Sequence, residues 1–140
     1  MSDNWVKDIN EMHAKYGVHE WFEKNKDDKD LMAKYIRFRL KMCTEELNEI
    51  IDAALFDCNA EEVVDGLIDL IVFSIGTLDV FGVDAYKAWD EVLRANMSKT
   101  AGVKPGRPNP FKLPDLLKPA GWKPPSHEGN HGYIDKAIKK

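Results

Sequence analysis

The first 104 residues of this 140-residue sequence contain no proline, and all seven prolines lie between Pro105 and Pro125. Because proline breaks the interior of a helix, this absence separates a helix-permissive region from a proline-rich one. We therefore expect a helical domain over residues 1–100 and an extended basic C-terminal arm over residues 101–140. With 44% hydrophobic residues, the chain can bury the core of one ordinary globular domain.

Cysteine is also scarce, and the two present, Cys43 and Cys58, have neither Cys-x-x-Cys nor zinc-ligand spacing. We expect both thiols to be reduced and buried or half-buried. The first residues lack the basic and apolar pattern of a secretory leader. The most apolar stretch, residues 66–83, contains two aspartates and barely reaches the length that crosses a bilayer of about 30 Å. These absences predict a cytoplasmic protein without a membrane partner.

Charge is divided unevenly along the chain. Residues 1–95 contain 21 acidic and 11 basic residues, whereas residues 96–140 contain 3 acidic and 9 basic ones. An acidic surface is unfavourable for nucleic acid, whose affinity depends mostly on neutralising phosphates, but it attracts cations. We therefore expect no nucleic-acid partner, and a C-terminal region able to contact phosphate.

The apolar residues of the first hundred recur at helical spacing, which predicts four helices. They span about residues 4–16, 30–55, 60–81 after an Asn59 cap, and 84–98. The third helix is apolar on nearly all sides, and one chain of this size has too few helices to surround it. We therefore expect a homo-oligomer, either a dimer or, preferably, a tetramer built from dimers. The inner side of the fourth helix should carry Tyr86, Trp89, Val92 and Leu93.

Six carboxylates stand out because they interrupt these apolar helices. Three lie one turn apart on the second predicted helix, and three follow an i, i+3, i+7 pattern on the third. Lys and Arg are absent from Asp52 through Tyr86, so no local base can compensate for the second group. A divalent ion would, and oxygen ligands select Mg²⁺ or Mn²⁺ over zinc. The six are Glu45, Glu46, Glu49, Glu62, Asp65 and Asp69.

Simpler explanations account for part of this pattern. Glu62 occupies the third position after the Asn59 cap, where an acid favours the start of a helix. The three glutamates of the second helix, taken alone, are typical of a solvated face. Helix capping does not explain Asp65 or Asp69, and no Glu-x-x-His occurs, which disfavours a di-iron bundle.

The sequence resembles the all-α nucleoside triphosphate pyrophosphohydrolases, which include MazG-like enzymes, dimeric dUTPases and phosphoribosyl-ATP pyrophosphohydrolases. The resemblance rests on Glu45-Glu46-x-x-Glu49 followed, after twelve residues, by Glu62-x-x-Asp65, and it extends from about Leu31 to Pro125. The segments 62–69 and 91–99 are similar to the phosphoribosyl-ATP pyrophosphohydrolase-like branch. The tail departs from that branch at Phe111-Lys112, where a glycine usually precedes the lysine.

This resemblance implies an all-α bundle of four to five helices that cleaves the α–β phosphate bond of a nucleoside triphosphate, with Mg²⁺ required and Mn²⁺ a possible substitute. It implies Glu46, Glu49, Glu62 and Asp65 as metal ligands. Glu45 or Asp69 would orient or deprotonate the attacking water. The alternative is a non-catalytic helical oligomer of the same ancestry that binds a nucleotide or a partner protein.

Substrate contacts are expected from the basic C-terminal part. Asn96 and Lys99 stand three residues apart at the end of the fourth helix, where an amide and an ammonium can reach one phosphate or ribose hydroxyl. Lys112, Lys118 and Trp122 are predicted to contact phosphate or stack on substrate, although Pro/Lys segments are often solvated linkers. Arg39 is expected to play a structural role near the acidic residues. The four histidines have no partners at ligand spacing, so none is assigned to the site.

Overall fold

A computed structural model describes residues 2–107 and 109–139 of the chain. It contains six α-helices, one π-helical turn and one two-stranded sheet. The elements are α1 (Trp5–Lys15), α2 (Val18–Asn25), α3 (Lys29–Asp52), the π-helix (Ala53–Asp57), α4 (Ala60–Val80), α5 (Ala85–Met97), β1 (Thr100–Gly102), β2 (Asp115–Leu117) and α6 (Ile134–Ile138). The predicted all-α fold class and the four long helices are confirmed.

Side-chain caps explain where three of these helices begin. Asn4, Asp28 and Asn59 precede α1, α3 and α4, and each accepts a hydrogen bond from the backbone N–H three residues later, at 3.0, 2.9 and 3.3 Å. Such a bond satisfies one of the amides that a helix start leaves free. At the other end of α4, Gly82 adopts a φ of +71°, a conformation that few other residues tolerate.

The contacts divide the chain into two compact units. The first unit comprises the described residues up to Ala85 together with those from His131 onward, and the second unit comprises Tyr86–Asn130. The core of the first unit forms around Phe81, which has no exposed surface. The ring centroid of Phe81 lies 5.5 Å from that of Phe22 on α2 and 5.9 Å from that of Tyr35 on α3. Met32, Ile36 and Val80 complete this buried cluster.

Two helices of the first unit were absent from the sequence prediction. Helix α2 follows Gly17, whose φ of +73° separates it from α1, and it contributes the buried Phe22. Helix α6 buries Ala137 in the same core, and the Tyr133 N–H just before it donates to the Phe81 carbonyl at 2.7 Å. Both helices are short, and packing rather than intrinsic propensity stabilises short helices.

The second unit contains α5 and the small sheet. Strands β1 and β2 pair antiparallel, with Thr100 opposite Leu117 and Gly102 opposite Asp115. The buried Asp115 accepts a hydrogen bond from the Lys104 N–H at 3.0 Å, which ties the connection after β1 to the start of β2. The sequence predicted an extended arm here and did not anticipate this pairing.

Several predicted burial assignments are wrong within the single chain. On α5 the four apolar residues assigned to an inner side are exposed, and the buried residue is Ala95. Cys43 is half-buried as expected, but Cys58, which ends the π-helix with a φ of +51°, is exposed. Within the described part of the chain no single helix is long and apolar enough to cross a membrane, and α4 and α5 meet that criterion only when taken together. The four α5 residues are Tyr86, Trp89, Val92 and Leu93.

Candidate functional site: an acidic cluster between two helices

Helices α3 and α4 approach each other closely at a glycine. Gly66 on α4 is buried, and a Cβ atom at that position would lie 2.6 Å from Cγ1 of Ile50 and 3.9 Å from the backbone oxygen of Glu46. The absence of a side chain therefore allows the two backbones to approach where both helices carry carboxylates. We define the acidic cluster as the six predicted residues Glu45, Glu46, Glu49, Glu62, Asp65 and Asp69.

The acidic cluster has members on both helices. Asp65 precedes Gly66, and Glu62 and Asp69 lie one turn away from Asp65 on the same side of α4. Glu46 on α3 is half-buried, whereas Asp65 is exposed. The cluster is thus open to solvent on one side and rests on apolar packing on the other.

Electrostatics show that five of the six predicted residues come together. Burial raises the pKa of Glu46 above its usual value, and the negative charges of Glu49, Asp69, Asp65 and Glu45 raise this pKa further. Two of these neighbours belong to α3 and two to α4, so the effect requires the packing of the two helices. Glu62, the sixth residue, is exposed in the first turn of α4.

Most of this negative charge has no basic partner. Only Glu45 forms an ion pair, with Nζ of Lys41 at 3.1 Å; among residues 2–107 and 109–139, the other five members pair with no Lys, Arg or His. No three of the six bring their oxygens within 4.8 Å of one another in that same part of the chain. By its chemistry, a site composed entirely of carboxylate oxygens fits a hard divalent cation.

Arg39 does not compensate for the acidic cluster. Its Nε donates to Oγ1 of Thr77 and its Nη2 donates to the Phe73 carbonyl, both at 3.2 Å, and its guanidinium lies 5.4 Å from the Phe73 ring centroid. The expected structural role is therefore correct, but the expected location is wrong. Arg39 joins α3 to the C-terminal half of α4, several turns away from Gly66.

A basic cluster forms independently in the second unit, from four of the five residues predicted to contact substrate. Nζ of Lys118 lies 4.7 Å from the Trp122 ring centroid, and Nζ of Lys99 lies 5.7 Å from it. Lys99 also donates to Oδ1 of Asn96 at 2.9 Å. The indole Nε1 of Trp122 donates to the Ala95 carbonyl at 2.8 Å, which fixes the ring against the end of α5. We call Asn96, Lys99, Lys118 and Trp122 the basic cluster.

Lys112, the fifth predicted substrate contact, is not part of the basic cluster. It is exposed, adopts a left-handed φ of +58°, and lines a shallow cavity together with β1 and Arg107. Its assignment as a phosphate contact therefore stays a prediction, which no contact among the described residues of the second unit supports.

Helix α5 also fixes the backbone that follows Trp122. Arg94 donates to Glu91 at 2.9 Å and to the Pro124 carbonyl at 3.1 Å, and the Ser126 N–H donates to Glu91 at 3.1 Å. The Arg94 guanidinium and the Ser126 amide lower the pKa of Glu91 to about 2. The carboxylate therefore stays ionised near neutral pH and keeps residues 122–126 on the helix that carries Asn96.

Two histidines and an aspartate form a second polar centre, which the sequence did not predict. Nδ1 of His13 and Nε2 of His19 each lie 2.7 Å from Oδ2 of Asp79, although 66 and 60 residues separate them from it. Nδ2 of Asn10 donates to Oδ1 of the same carboxylate at 2.7 Å. Residue spacing does not predict contacts between residues so far apart in sequence, since these contacts form only when α1 and α2 pack against α4.

Comparison with known families gives a match that covers the acidic cluster. Residues 16–96 match the family described as phosphoribosyl-ATP pyrophosphohydrolase, which is more than half of the chain. The matched range includes all six acidic residues and Asn96, and it ends before Lys99, Lys118 and Trp122. A search of curated proteins found no match.

Proposed function

Since the chain belongs to the phosphoribosyl-ATP pyrophosphohydrolase family, we propose that it hydrolyses the α–β phosphate bond of a nucleoside triphosphate, releasing a nucleoside monophosphate and pyrophosphate. The observation that carries this proposal is the meeting of carboxylates from α3 and α4 around Gly66 with almost no basic partner. Unpaired carboxylates packed against apolar side chains destabilise the folded protein unless a cation binds to them.

The metal in this proposal is Mg²⁺, with Mn²⁺ as a possible substitute. Glu46, Glu49, Glu62 and Asp65 are the proposed ligands. When bound, the ion neutralises the negative charge that develops on phosphate oxygens during transfer. Burial and, after it, the charges of the neighbouring carboxylates raise the pKa of Glu46, and a cation held by these carboxylates would offset their mutual repulsion.

Asp69 is our first choice for orienting and deprotonating the water, and Glu45 is the second. The carboxylate of Glu45 already lies 3.1 Å from Nζ of Lys41, whereas Asp69 has no ion-pair partner in the described ranges. Hydrolysis needs a base to take one proton as the water oxygen attacks phosphorus and the bond to the bridging oxygen breaks.

The basic cluster of the second unit is proposed to bind phosphate. Two ammonium groups near one indole ring provide positive charge, and hydrogen bonds from Lys99 to Asn96 and from Trp122 to the Ala95 carbonyl hold this charge in place. Preorganised cations lose less entropy on binding an anion than free lysines do.

The competing function is a binding protein of the same ancestry that holds a nucleotide without turnover. Such a binding protein needs positive charge to contact the phosphates of the nucleotide, but it needs no group that activates water. The near absence of compensating bases around Asp69 favours the enzyme, because a binding site gains nothing from an unpaired carboxylate beside phosphates.

The proposal predicts pyrophosphate release by the 140-residue chain. We expect a panel of ribo- and deoxyribonucleoside triphosphates with Mg²⁺ to give equal amounts of monophosphate and pyrophosphate from at least one member. Chelation of the metal should stop the reaction, and Mn²⁺ should restore part of it. Products would be separated by anion-exchange chromatography, and the ranking of the panel would identify the base and sugar.

Two results would contradict the proposal. Release of a nucleoside diphosphate and inorganic phosphate would show cleavage of a different bond. Nucleotide binding by calorimetry without any product would show the binding protein instead. Calorimetry with Mg²⁺ alone serves as the control that the metal site is intact in the preparation used.

We also propose that the chain associates with further copies of itself through α3 and α4. Leu40, Leu47 and Ile51 form a stripe on α3 within about 40° of one another, and they are 42–55% exposed. The face of α4 that carries Val64 and Ile68 is also exposed. A second copy is the occupant that fits, because apolar residues spaced by seven and four along a long helix are typical of helix pairing.

The charged substitution Leu47→Lys is therefore expected to reduce the oligomer to a smaller species. Light scattering after size exclusion should give the mass of a dimer or a tetramer for the wild-type protein, and a lower mass for the variant at the same concentration. Leu113→Lys is the matched control, since Leu113 is an exposed leucine of the second unit. A monomeric wild-type protein, or equal masses for Leu47→Lys and wild type, would contradict this arrangement.

A further inference from the structure

The polar centre around Asp79 is separate from the acidic cluster and contains a different set of donor atoms. One ligand atom from each of His13, His19 and Asp79 lies within 4.8 Å of the other two, and within residues 2–107 and 109–139 no other group of three His, Cys, Asp or Glu side chains meets this criterion. The three residues come from α1, α2 and α4, so the arrangement exists only in the folded chain.

We propose that His13, His19 and Asp79 bind one divalent transition-metal ion, with Zn²⁺ as the preferred ion. Two imidazole nitrogens and one carboxylate oxygen are the donors of a borderline metal, whereas Mg²⁺ prefers oxygen alone. Three protein ligands leave the fourth tetrahedral position to solvent.

The geometry needs little rearrangement to hold such an ion. In tetrahedral coordination at about 2.0–2.1 Å, two donor atoms are separated by about 3.3 Å. Each histidine nitrogen now lies 2.7 Å from Oδ2 of Asp79, so each of these two separations must open by well under 1 Å, and the three donor atoms already lie within 4.8 Å of one another. His19 can supply this motion because its side chain is 34% exposed, whereas those of His13 and Asp79 are only 6% and 9% exposed. The exposed edge of His19 also gives the ion a path from solvent.

The groups around the trio are those expected to orient metal ligands. Asn10 donates to Oδ1 of Asp79 and so directs Oδ2 toward the histidines. Both histidine nitrogens lie 2.7 Å from that same Oδ2, so the three donor atoms already face one another.

The space behind His13 is also restricted. A Cβ atom on Gly76 would lie 3.1 Å from Cε1 of His13 and 2.5 Å from Nη2 of Arg39. The His13 ring therefore rests against the α4 backbone, and its Nδ1 faces Asp79 at a fixed distance. A rigid first ligand lowers the entropy that metal binding must overcome.

Calorimetric titration with Zn²⁺ tests the proposal, in a buffer containing excess Mg²⁺ so that the acidic cluster is occupied. We expect one equivalent of Zn²⁺ to bind the wild-type protein. At a free Zn²⁺ concentration about 100 times Kd, the Tm should rise by about 10 °C. His19→Gln retains a hydrogen-bond donor for Asp79 but removes a ligand, and it should weaken Zn²⁺ binding at least tenfold.

His131→Gln is the matched control, because His131 pairs with Asp135 at 3.3 Å and lies outside the trio. It should bind Zn²⁺ like the wild-type protein. Circular dichroism would verify that each variant folds, and Co²⁺ substitution would report the ligand set through its visible spectrum. His13→Gln would remove the other histidine ligand. If that variant fails to fold, His19→Gln still tests the proposal, because the side chain of His19 is partly exposed.

Equal Zn²⁺ affinity of wild type and His19→Gln would overturn the proposal, and so would the absence of Zn²⁺ binding by the wild type. In either case the trio would be a hydrogen-bonded network that only joins α1 and α2 to α4. The hydrolase proposed above does not depend on this result, since Zn²⁺ binding is measured without nucleotide.

Discussion

Asp65→Asn is expected to lower the rate of pyrophosphate release by about 10²–10³-fold, the usual effect of removing one preorganised charge from a catalytic site. The substitution keeps the shape of the side chain and removes only its charge. Asp65 is the member of the acidic cluster nearest in sequence to Gly66, where α4 meets α3, and its charge contributes to the raised pKa of Glu46. Initial rates with Mg²⁺ and the best nucleotide of the panel would measure the loss.

The matched control is Glu61→Gln, which removes one negative charge from the same helix four residues away. Glu61 is exposed in the first turn of α4 and is not part of the acidic cluster. It should retain nearly full activity, whereas Glu49→Gln should behave like Asp65→Asn. Full activity in both Glu49→Gln and Asp65→Asn would exclude the acidic cluster as the catalytic site. Thermal unfolding without metal should show Asp65→Asn at least as stable as wild type, because like-charge repulsion is reduced.

Phe81→Ala is expected to lower the free energy of unfolding by about 3–5 kcal/mol, the cost of deleting a buried aromatic ring. Phe81 has no exposed surface, and its ring packs edge-on against Phe22. The deletion would leave a cavity where α2, α3 and the end of α4 meet. Urea unfolding monitored by circular dichroism would give the difference from the change in midpoint.

Phe111→Ala is the matched control for that experiment. Phe111 is 78% exposed in the second unit, so its removal should change the free energy of unfolding by less than about 0.5 kcal/mol. Similar losses for the two variants would contradict the position of Phe81 at the centre of the core. Because Phe81 lies just past the C-terminal end of α4, far from Gly66, the folded Phe81→Ala protein should keep the wild-type activity per folded molecule.

The helices and their boundaries were largely predictable because their determinants are local. Asn4, Asp28 and Asn59 cap the helices that the apolar spacing predicts, and Gly82 ends α4. Helix α2 escaped prediction because its eight residues give too short a pattern. Helix α6 was not predicted because it follows a proline-rich segment and depends on contacts with Phe81, which lies more than fifty residues earlier.

The acidic cluster was predictable for a similar reason. Its carboxylates repeat at one-turn spacing within each helix, and the family match over residues 16–96 contains all of them. That the two stripes face each other across Gly66 is a property of the packing. The grouping of Lys99 and Lys118 around Trp122 likewise requires that the chain return to α5. Residue spacing alone does not show whether this segment packs on the helix or forms a solvated linker.

By itself the sequence determined the helical class, the starts of α1, α3 and α4, and the two acidic stripes, because caps, periodicity and one-turn spacing act within a few residues along the chain. Only the tertiary structure decided which side chains meet over long separations. It joined His13 and His19 to Asp79, placed Arg39 beside Thr77 instead of the acidic cluster, and buried Phe81. The physical reason is that such contacts depend on the relative positions of whole helices, which burial of the core selects and no local pattern records.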